Sequence, residues 1–547
     1  MQVDEADAEQ NPESRKKSRW HRRFRRTAVA CVFINGKAKF SASLRFHQNV
    51  VSTETALPFF PSSKTFLRAH PRVLTPPRNS NFHAKHSVYE QHGWDVISNI
   101  TFWPRPRASI WVADPDAVKE LTLSRDRFAK PVGMYKLLSF FGGNIVASEG
   151  EDWKRHRKIA QPAFSEKNNK LVWDETSRIV KEMIISWGAD KDSIEIEQVV
   201  NFTLPIALMV IGSAGFGKRV AWNEDLAVPE GHKMSFRTAL SVVCKDLFLK
   251  IIIPRWASGL TQRYHNIHTA FNDLQVVISK SYRKRTPLDD ASHSDLFSNL
   301  IRASEAEEES KSLSAEELMG DTFIFLLAGH ETTAHTLAFT FALLALYQNE
   351  QEQLYQQIRT IIPEGQEPVY EDMHLLTRSM AVFYETLRLF PPVNIIPKVP
   401  LEETTLSFSS AIANGEQHGS EIRKQKTVRV PKNARVHIHV PGLHYNPRYW
   451  DDPHEFRPSR FLGDWPKEAF LPFSGGPRAC IGRRFFETEG IATLSILVSR
   501  YRIAIKEDPR FTGESFEMKK ERILRCKAGL TLTPVHVPLV FIRRKES

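Results

Sequence analysis

A mainly α-helical protein with a small β-sheet region is the fold class this sequence predicts, on three observations. Amphipathic patterns of helical period recur along most of the chain from residue 149 to 390. Within them, residues 314–348 hold one pattern with no breaker until Tyr347-Gln-Asn. A helix of about 30 residues is about 45 Å long, enough to cross a whole domain. After Pro391-Pro392 the texture changes to short strands, of which Thr427–Val430 and the alternating Val436-His-Ile-His-Val440 are the clearest.

Taken in order, residues 1–80 mix charges, Ser, Pro and isolated aromatics without periodicity, and are expected to be a disordered extension. An acidic stretch from Asp4 to Glu13 precedes residues 15–26, which carry eight Lys and Arg and no acid. A solvated tail is the plainest account of that cluster; a nuclear address and an anionic membrane contact are the alternatives. The following apolar run, Ala28 to Ile34, stops at Asn35-Gly36-Lys37, whereas a spanning helix needs about 20 apolar residues. Regular structure is expected from His86 onward. Ser109–Ala113 reads as a strand, Asp114-Pro115 as a helix start, and Ala117–Leu123 as helix. Helices follow at 149–160, 170–187, 195–215, 262–283, 293–305, 314–348, 349–361 and 371–390. Residues 409–426 are polar and turn-rich, a surface insertion. A helix resumes at 480–498, and Leu530–Pro534 and Val537–Ile542 read as strands. No internal repeat is visible, so residues 81–547 are expected to form one large domain.

Composition excludes several classes. With 41% hydrophobic and 25% charged residues, the 547-residue chain is ordinary for a globular protein. Cys31, Cys244, Cys480 and Cys526 are scattered without CxxC spacing, which argues against a disulfide framework or a zinc site. The formal charge of +12 owes much to residues 15–26, and a nucleic-acid reading built on them leaves the rest of the chain unused. The stretch 314–348 is apolar around most of its circumference, as in a membrane span or a buried core helix. His330, Glu331, Thr332, Thr333 and His335 lie in its middle and would be costly in lipid, so the buried helix is preferred.

Residues 473–482, Phe-Ser-Gly-Gly-Pro-Arg-Ala-Cys-Ile-Gly, concentrate the chemistry. Glycines permit backbone conformations and close approaches that other residues forbid. Such a loop can point N–H groups at the Cys480 sulfur, and the helix that follows would lower the thiol pKa by its dipole. Arg478 can meet a carboxylate as a charge-assisted pair. A structural cysteine in a glycine-rich turn is the alternative, which the coincidence of Phe473, Gly476, Arg478, Cys480 and Gly482 disfavours.

This loop resembles the haem-binding signature of the cytochrome P450 superfamily, Phe-x-x-Gly-x-Arg-x-Cys-x-Gly, in which the cysteine thiolate is the proximal iron ligand. Four further segments resemble that family, in its order: Trp153-Lys-Arg-His-Arg157, Ala328-Gly-His-Glu-Thr-Thr333, Glu385-Thr-Leu-Arg388 and Pro458-Ser-Arg-Phe461. The resemblance runs from about residue 85 to the C-terminus and is closest in flavour to fungal, microsomal-type members. It implies a cytochrome P450 fold with the long central helix over haem b (iron protoporphyrin IX). Cys480 would ligate iron, and Phe473, Gly476, Arg478, Gly482, Trp153 and Arg157 would complete the cofactor site.

The activity implied is monooxygenation: one atom of O2 enters a small lipophilic substrate and the other leaves as water. NADPH–cytochrome P450 reductase would supply electrons, with cytochrome b5 as a further donor. On the central helix, Ala328-Gly329 removes bulk beside the macrocycle, and Glu331 and Thr332 offer a carboxylate and a hydroxyl for a proton relay. The plainer account has Thr332 bonding back to a helix carbonyl. Glu385, Arg388 and Arg460 would form a buried network holding the cysteine loop. Lys154, Arg155, Lys158, Arg483 and Arg484 would make the proximal face positive and steer an acidic flavoprotein. The apolar stretch Val132–Val146, with Phe325 and Leu326, would line the access route. The family suggests the cytosolic face of the endoplasmic reticulum membrane, although no anchor is legible here. A peroxygenase or isomerase, and a non-catalytic haem sensor, are the alternative readings. The intact Glu331-Thr332 pair disfavours the first, and the absence of a recognisable signalling domain the second.

Overall fold

The computed structural model describes residues 80–544, apart from 102–106, 189–190, 218, 220, 223–227, 229–230, 253–258, 285–294, 309–310, 364 and 411–423. The basic cluster 15–26 and the core of the polar insertion lie outside the described residues. Helices build most of the protein: α1 (Ser80–Ala84), α2 (Ser87–Glu90), α3 (Pro115–Leu123), α4 (Gly150–Ala160), α5 (Glu166–Trp187), α6 (Val200–Val210), α7 (Phe236–Ile252), α8 (Gln262–Lys284), α9 (Leu296–Glu305), α10 (Ala315–Leu346), α11 (Gln348–Ile361), α12 (Thr377–Leu389), α13 (Val440–His444), α14 (Arg483–Arg500) and α15 (Phe516–Ile523). The strands are β1 (Val96–Thr101), β2 (Arg107–Val112), β3 (Phe128–Ala129), β4 (Ser193–Ile196), β5 (Ile395–Pro400), β6 (Thr404–Ser410), β7 (Lys424–Val430), β8 (Arg435–His439), β9 (Tyr501–Ile505), β10 (Cys526–Ala528), β11 (Leu532–Pro534) and β12 (Leu539–Arg543).

Helix starts follow the local chemistry of the chain. Asp114 caps α3, its carboxylate accepting the Ala117 N–H at 2.8 Å. Ser314 and Glu317 cap α10 reciprocally: each side chain accepts the other's backbone N–H, at 3.2 and 2.9 Å. The 32 residues of α10 run through the core. Gly320 allows the 142–143 loop to lie directly on it, because a Cβ there would stand 2.1 Å from the Gly143 carbonyl oxygen. His156 Nδ1 and the Ile145 N–H both reach Asp321 at 2.7 Å, tying α4 and that loop to the same turn of α10. Among the described residues, no helix is long and apolar enough to cross a membrane.

Strands gather into a five-stranded sheet of order β1-β2-β8-β5-β3, a three-stranded sheet β4-β12-β9, and the pairs β6-β7 and β10-β11. Among the described residues only the β2–β8 pairing is parallel, with Ser109 opposite Arg435. Three expectations are corrected, and one helix is added. Residues 193–196 form β4, bonded to β12, so the helix expected at 195–215 begins at Val200 and ends in a π-turn over Ile211–Gly215. The helix expected at 371–390 divides into a 3₁₀ turn at Tyr370–His374 and α12. The ends of the expected insertion are strand residues, Ser410 pairing with Lys424 across β6–β7. Helix α7 had no counterpart in the sequence reading.

Burial leaves several histidines neutral. Desolvation pushes His86, His330, His437 and His439 from 6.5 down to about 4, and His335 and His444 to about 3. Once unfolded, these side chains take up protons near pH 6.5, which the folded protein resists until pH falls to about 4. The unfolded state binds more protons in that window, so stability is present above pH 6.5 and is lost on acidification toward pH 4. The urea midpoint should therefore fall steadily over this range; a flat profile would contradict the neutral-histidine account.

Candidate functional site

The cysteine loop is closed by its own backbone. The Cys480 N–H donates to the Phe473 carbonyl at 2.8 Å, and Gly482, the residue before α14, directs its N–H at the sulfur. Gly476 has φ +64, and a Cβ there would stand 2.3 Å from the Thr122 carbonyl oxygen at the end of α3, so only glycine fits. Its role in the described structure is to pack the loop on α3. The Phe473 ring meets Phe486 edge-on at 5.4 Å, and the Arg483 guanidinium lies 5.0 Å from its centre.

Behind the loop stands a buried ion pair. Arg388 Nε and Nη2 donate to the two Glu385 oxygens at 2.7 and 2.8 Å, and Arg460 Nε reaches Glu385 at 3.3 Å. The remaining Arg388 donors bond the carbonyls of His444, Pro453 and Glu455 at 2.9, 2.8 and 3.1 Å. The expected triad is thus assembled. Sequence reading missed its extension, His444, which donates from Nδ1 to the Arg388 carbonyl at 3.1 Å and accepts the Leu471 N–H at Nε2 at 2.8 Å. That arrangement needs a neutral imidazole, as burial ensures. It carries the position of α12 directly to the entry of the cysteine loop.

Cys480 is surrounded by protein, yet its side chain is uncovered, which describes a residue on the wall of an internal space. Its thiol corrects one expectation. Burial raises its pKa, while the Gly482 N–H, Arg157 and Arg483 act in the opposite direction without prevailing. The central helix shows a matching break in burial. Most of α10 is buried, but Ala328 is exposed and Gly329 and Thr332 are half-buried. Phe325, Ala328, Gly329 and Thr332 share one helical face. Phe164 lies between helix and loop, edge-on to Phe325 at 5.4 Å, and a Cβ added at Gly482 would stand 3.6 Å from its ring. Leu326 is buried in the core.

Beside the loop, basic side chains crowd one carboxylate. Arg478 donates to Glu149 at 2.7 Å and to the Ser148 carbonyl at 2.6 Å, and Arg125 reaches Glu149 at 3.2 Å. Both guanidiniums lie over Trp153, at 4.7 and 3.9 Å from the ring centre. Burial, with Arg478 nearby, pushes Lys130 down to about 7 and Lys398 to about 8. Four basic groups around a single carboxylate crowd like charge together, an environment that further anionic groups would relieve. Arg157 turns to the loop, donating to the Ala479 carbonyl at 3.1 Å. Lys130 and Lys398 were missed in the sequence; a lysine inside the apolar strand Ile395–Pro400 was the available signal.

The Thr332 hydroxyl donates to the Ala328 carbonyl at 2.8 Å, the helix-bonded arrangement. Burial pushes Glu331 up to about 7, partly opposed by a hydrogen bond from Thr531. The expected positive proximal face is reduced: Lys154 pairs with Glu151, Arg155 with Glu317 on α10, Lys158 with Glu307 and Arg483 with Glu487.

A helical fold with an uncovered cysteine facing an interior space, flanked by crowded basic groups, suits a thiolate-ligated prosthetic group bearing carboxylates. Residues 81–526 match the family described as Cytochrome P450, and the chain belongs to that family. It is 50% identical over 466 residues to "Cytochrome P450 monooxygenase 124" of Postia placenta, covering 84% of this chain and 88% of that protein. It is also 28% identical to "Cytochrome P450 monooxygenase ORF6" of Penicillium roqueforti, covering 84% of each. The fold matches the crystal structure of the cytochrome P450DA heme domain with a TM-score of 0.69 and 22% identity, over 87% of this chain and 96% of that one. The protein is a haem-dependent monooxygenase whose cofactor is haem b. Its family implies a redox partner and a lipophilic substrate.

Glu385→Gln and Arg388→Ala should each leave an uncompensated buried group, costing about 3–5 kcal/mol of stability. His444→Phe should cost about 1–3 kcal/mol by stranding the Leu471 N–H. Urea unfolding and haem retention on gel filtration measure both. Native stability in Glu385→Gln would contradict the assigned network.

Proposed function

We propose that Cys480 would supply the thiolate that ligates haem iron, and that Trp153, Arg157 and Arg478, with Arg125, Lys130 and Lys398, would hold the haem carboxylates. The uncovered Cys480 side chain in an otherwise packed interior carries this reading. Phe473, Gly476 and Gly482 shape the loop that presents it, and residues 81–547 act as the catalytic domain, with 1–80 as an extension. Bound haem supplies the redox chemistry that activates O2 and puts one oxygen atom into the substrate.

Glu331 and Thr332 act as the catalytic proton relay. At about 7, Glu331 holds its proton near neutrality yet can release it, which suits a group that both supplies and regains protons. Thr332 passes the proton on by leaving the Ala328 carbonyl and turning its hydroxyl to the pocket. Ala328 and Gly329 keep that face free of bulk. The substrate is a small lipophilic molecule. The route past Val132–Val146 is supported by the exposure of the apolar Met134 and Phe140 side chains within it. Electrons come from NADPH–cytochrome P450 reductase, with cytochrome b5 as a further donor, at the proximal face bearing exposed Arg483 and Arg484. The cytosolic face of the endoplasmic reticulum membrane is the corresponding location.

Two measurements test this reading. Product formed per NADPH should fall as pH rises through about 7, because Glu331 then loses its proton. Glu331→Gln should be poorly coupled at every pH; a native profile in that variant would refute the relay. Arg484→Glu should slow reductase-driven turnover and leave peroxide-driven turnover unchanged, whereas equal loss in both would refute the docking face.

A further inference from the structure

Glu331 and His335 stand four residues apart on α10 and so share a face of the helix. The turn between β10 and β11 folds over that face, held by the Gly529 N–H donating to the Thr531 carbonyl and the Leu532 N–H donating to the Pro392 carbonyl, both at 3.0 Å. It delivers one hydroxyl. Thr531 Oγ1 lies 2.8 Å from His335 Nδ1, and the same hydroxyl stands close enough to the Glu331 carboxyl to oppose, in part, the effect of burial on it. Thr531 is 5% exposed and His335 3% exposed, so water has little access to this contact. Glu331 Oε2 is buried and has no hydrogen-bond partner among the described residues.

The protonation states limit what the three groups can do. His335 is neutral at working pH, because burial and the nearby His330 and Lys527 all disfavour its charge. A neutral imidazole protonated on Nε2 accepts at Nδ1. Thr531 has a single hydroxyl proton and two neighbours able to take it. When Glu331 is an acid, it donates to the Thr531 oxygen, and Thr531 donates to His335. When Glu331 is a carboxylate, the hydroxyl turns and donates to it, and His335 loses its donor. No covalent bond changes in this exchange; one O–H rotates.

We propose that Thr531 and His335 are positioning residues for the proton relay: a shared hydroxyl holds the Glu331 carboxyl in place in both of its protonation states. The inference rests on the reading of Glu331 as the relay acid. Two opposite consequences follow. Removing the hydroxyl deprives the carboxylate of its charge-assisted hydrogen bond and favours the acid. Removing the imidazole frees that hydroxyl for the carboxylate and favours the anion.

Infrared difference spectra of the haem-loaded enzyme, with Glu331→Gln as the blank, give the pH midpoint of the Glu331 carboxyl band. Thr531→Val should move the midpoint up by about half to one pH unit, and His335→Leu should move it down by a similar amount. Thr531→Ser and His335→Asn, which keep the partner groups, should stay near the native value. Thr531→Ala, which adds no bulk, carries the same expectation as Thr531→Val. Both Thr531→Val and His335→Leu should release more hydrogen peroxide per NADPH. An unmoved midpoint in Thr531→Val, or shifts of the same sign in Thr531→Val and His335→Leu, would overturn the proposal. Native coupling in Glu331→Gln would instead overturn the relay reading, with the infrared midpoints still reporting the shared hydroxyl.

Discussion

An ion pair with no exposure to water can be made completely or hardly at all, and the Glu385–Arg388 pair is of that kind. Its guanidinium spends every donor: two on the carboxylate and the rest on carbonyls of the chain between α13 and the 3₁₀ turn at Pro458–Phe461. Burying such a pair adds little net stability, since desolvation offsets the attraction. Its effect is on specificity of structure. Any arrangement of residues 444–460 other than the observed one would leave a charged donor without a partner. His444 then hands that position to Leu471, a few residues before the cysteine loop.

The loop inherits this rigidity and adds its own. Gly476 lets the backbone settle on Thr122, the Phe473 carbonyl takes the Cys480 N–H, and α14 begins immediately beyond. The sulfur is left uncovered against an interior space, with its thiol disfavoured from ionising chiefly by burial and further by the Glu487 carboxylate. Positive charge is supplied around it, where Arg125, Lys130, Lys398 and Arg478 share Glu149. On the far side, α10 is buried along most of its length, and its small residues Ala328 and Gly329 leave the open face. A rigid proximal wall and a helix with one gap are what a flat cofactor requires of a protein.

Much of this was legible in the sequence, for identifiable reasons. The α10 boundaries were readable because Ser314 and Glu317 form a local capping box and nothing interrupts the apolar pattern. Glu385, Arg388 and Arg460 were found because their spacing resembles a family motif, and their geometry agrees. What escaped depends on contacts between distant residues. His444 looks like any polar residue in the short segment after a strand until Arg388 and Leu471 close around it. Lys130 and Lys398 become cofactor-site candidates only when Arg478 stands beside them. Residues 195–196 read as the start of a helix because their strand character comes from β12, more than 300 residues later. Arg155 was expected on the surface, but it turns inward to Glu317. Thr531 had no local motif at all; its importance lies in what the β10–β11 turn covers.

The central claim is that this scaffold presents the Cys480 sulfur to haem iron. The absorption spectrum of the reduced, carbon-monoxide-bound full chain tests it directly, beside the same spectrum of Cys480→Ala. The native protein should show the long-wavelength Soret band of thiolate ligation, and the variant should lose it. A native band at the shorter-wavelength position of imidazole ligation, or a thiolate band that survives in Cys480→Ala, would contradict the account.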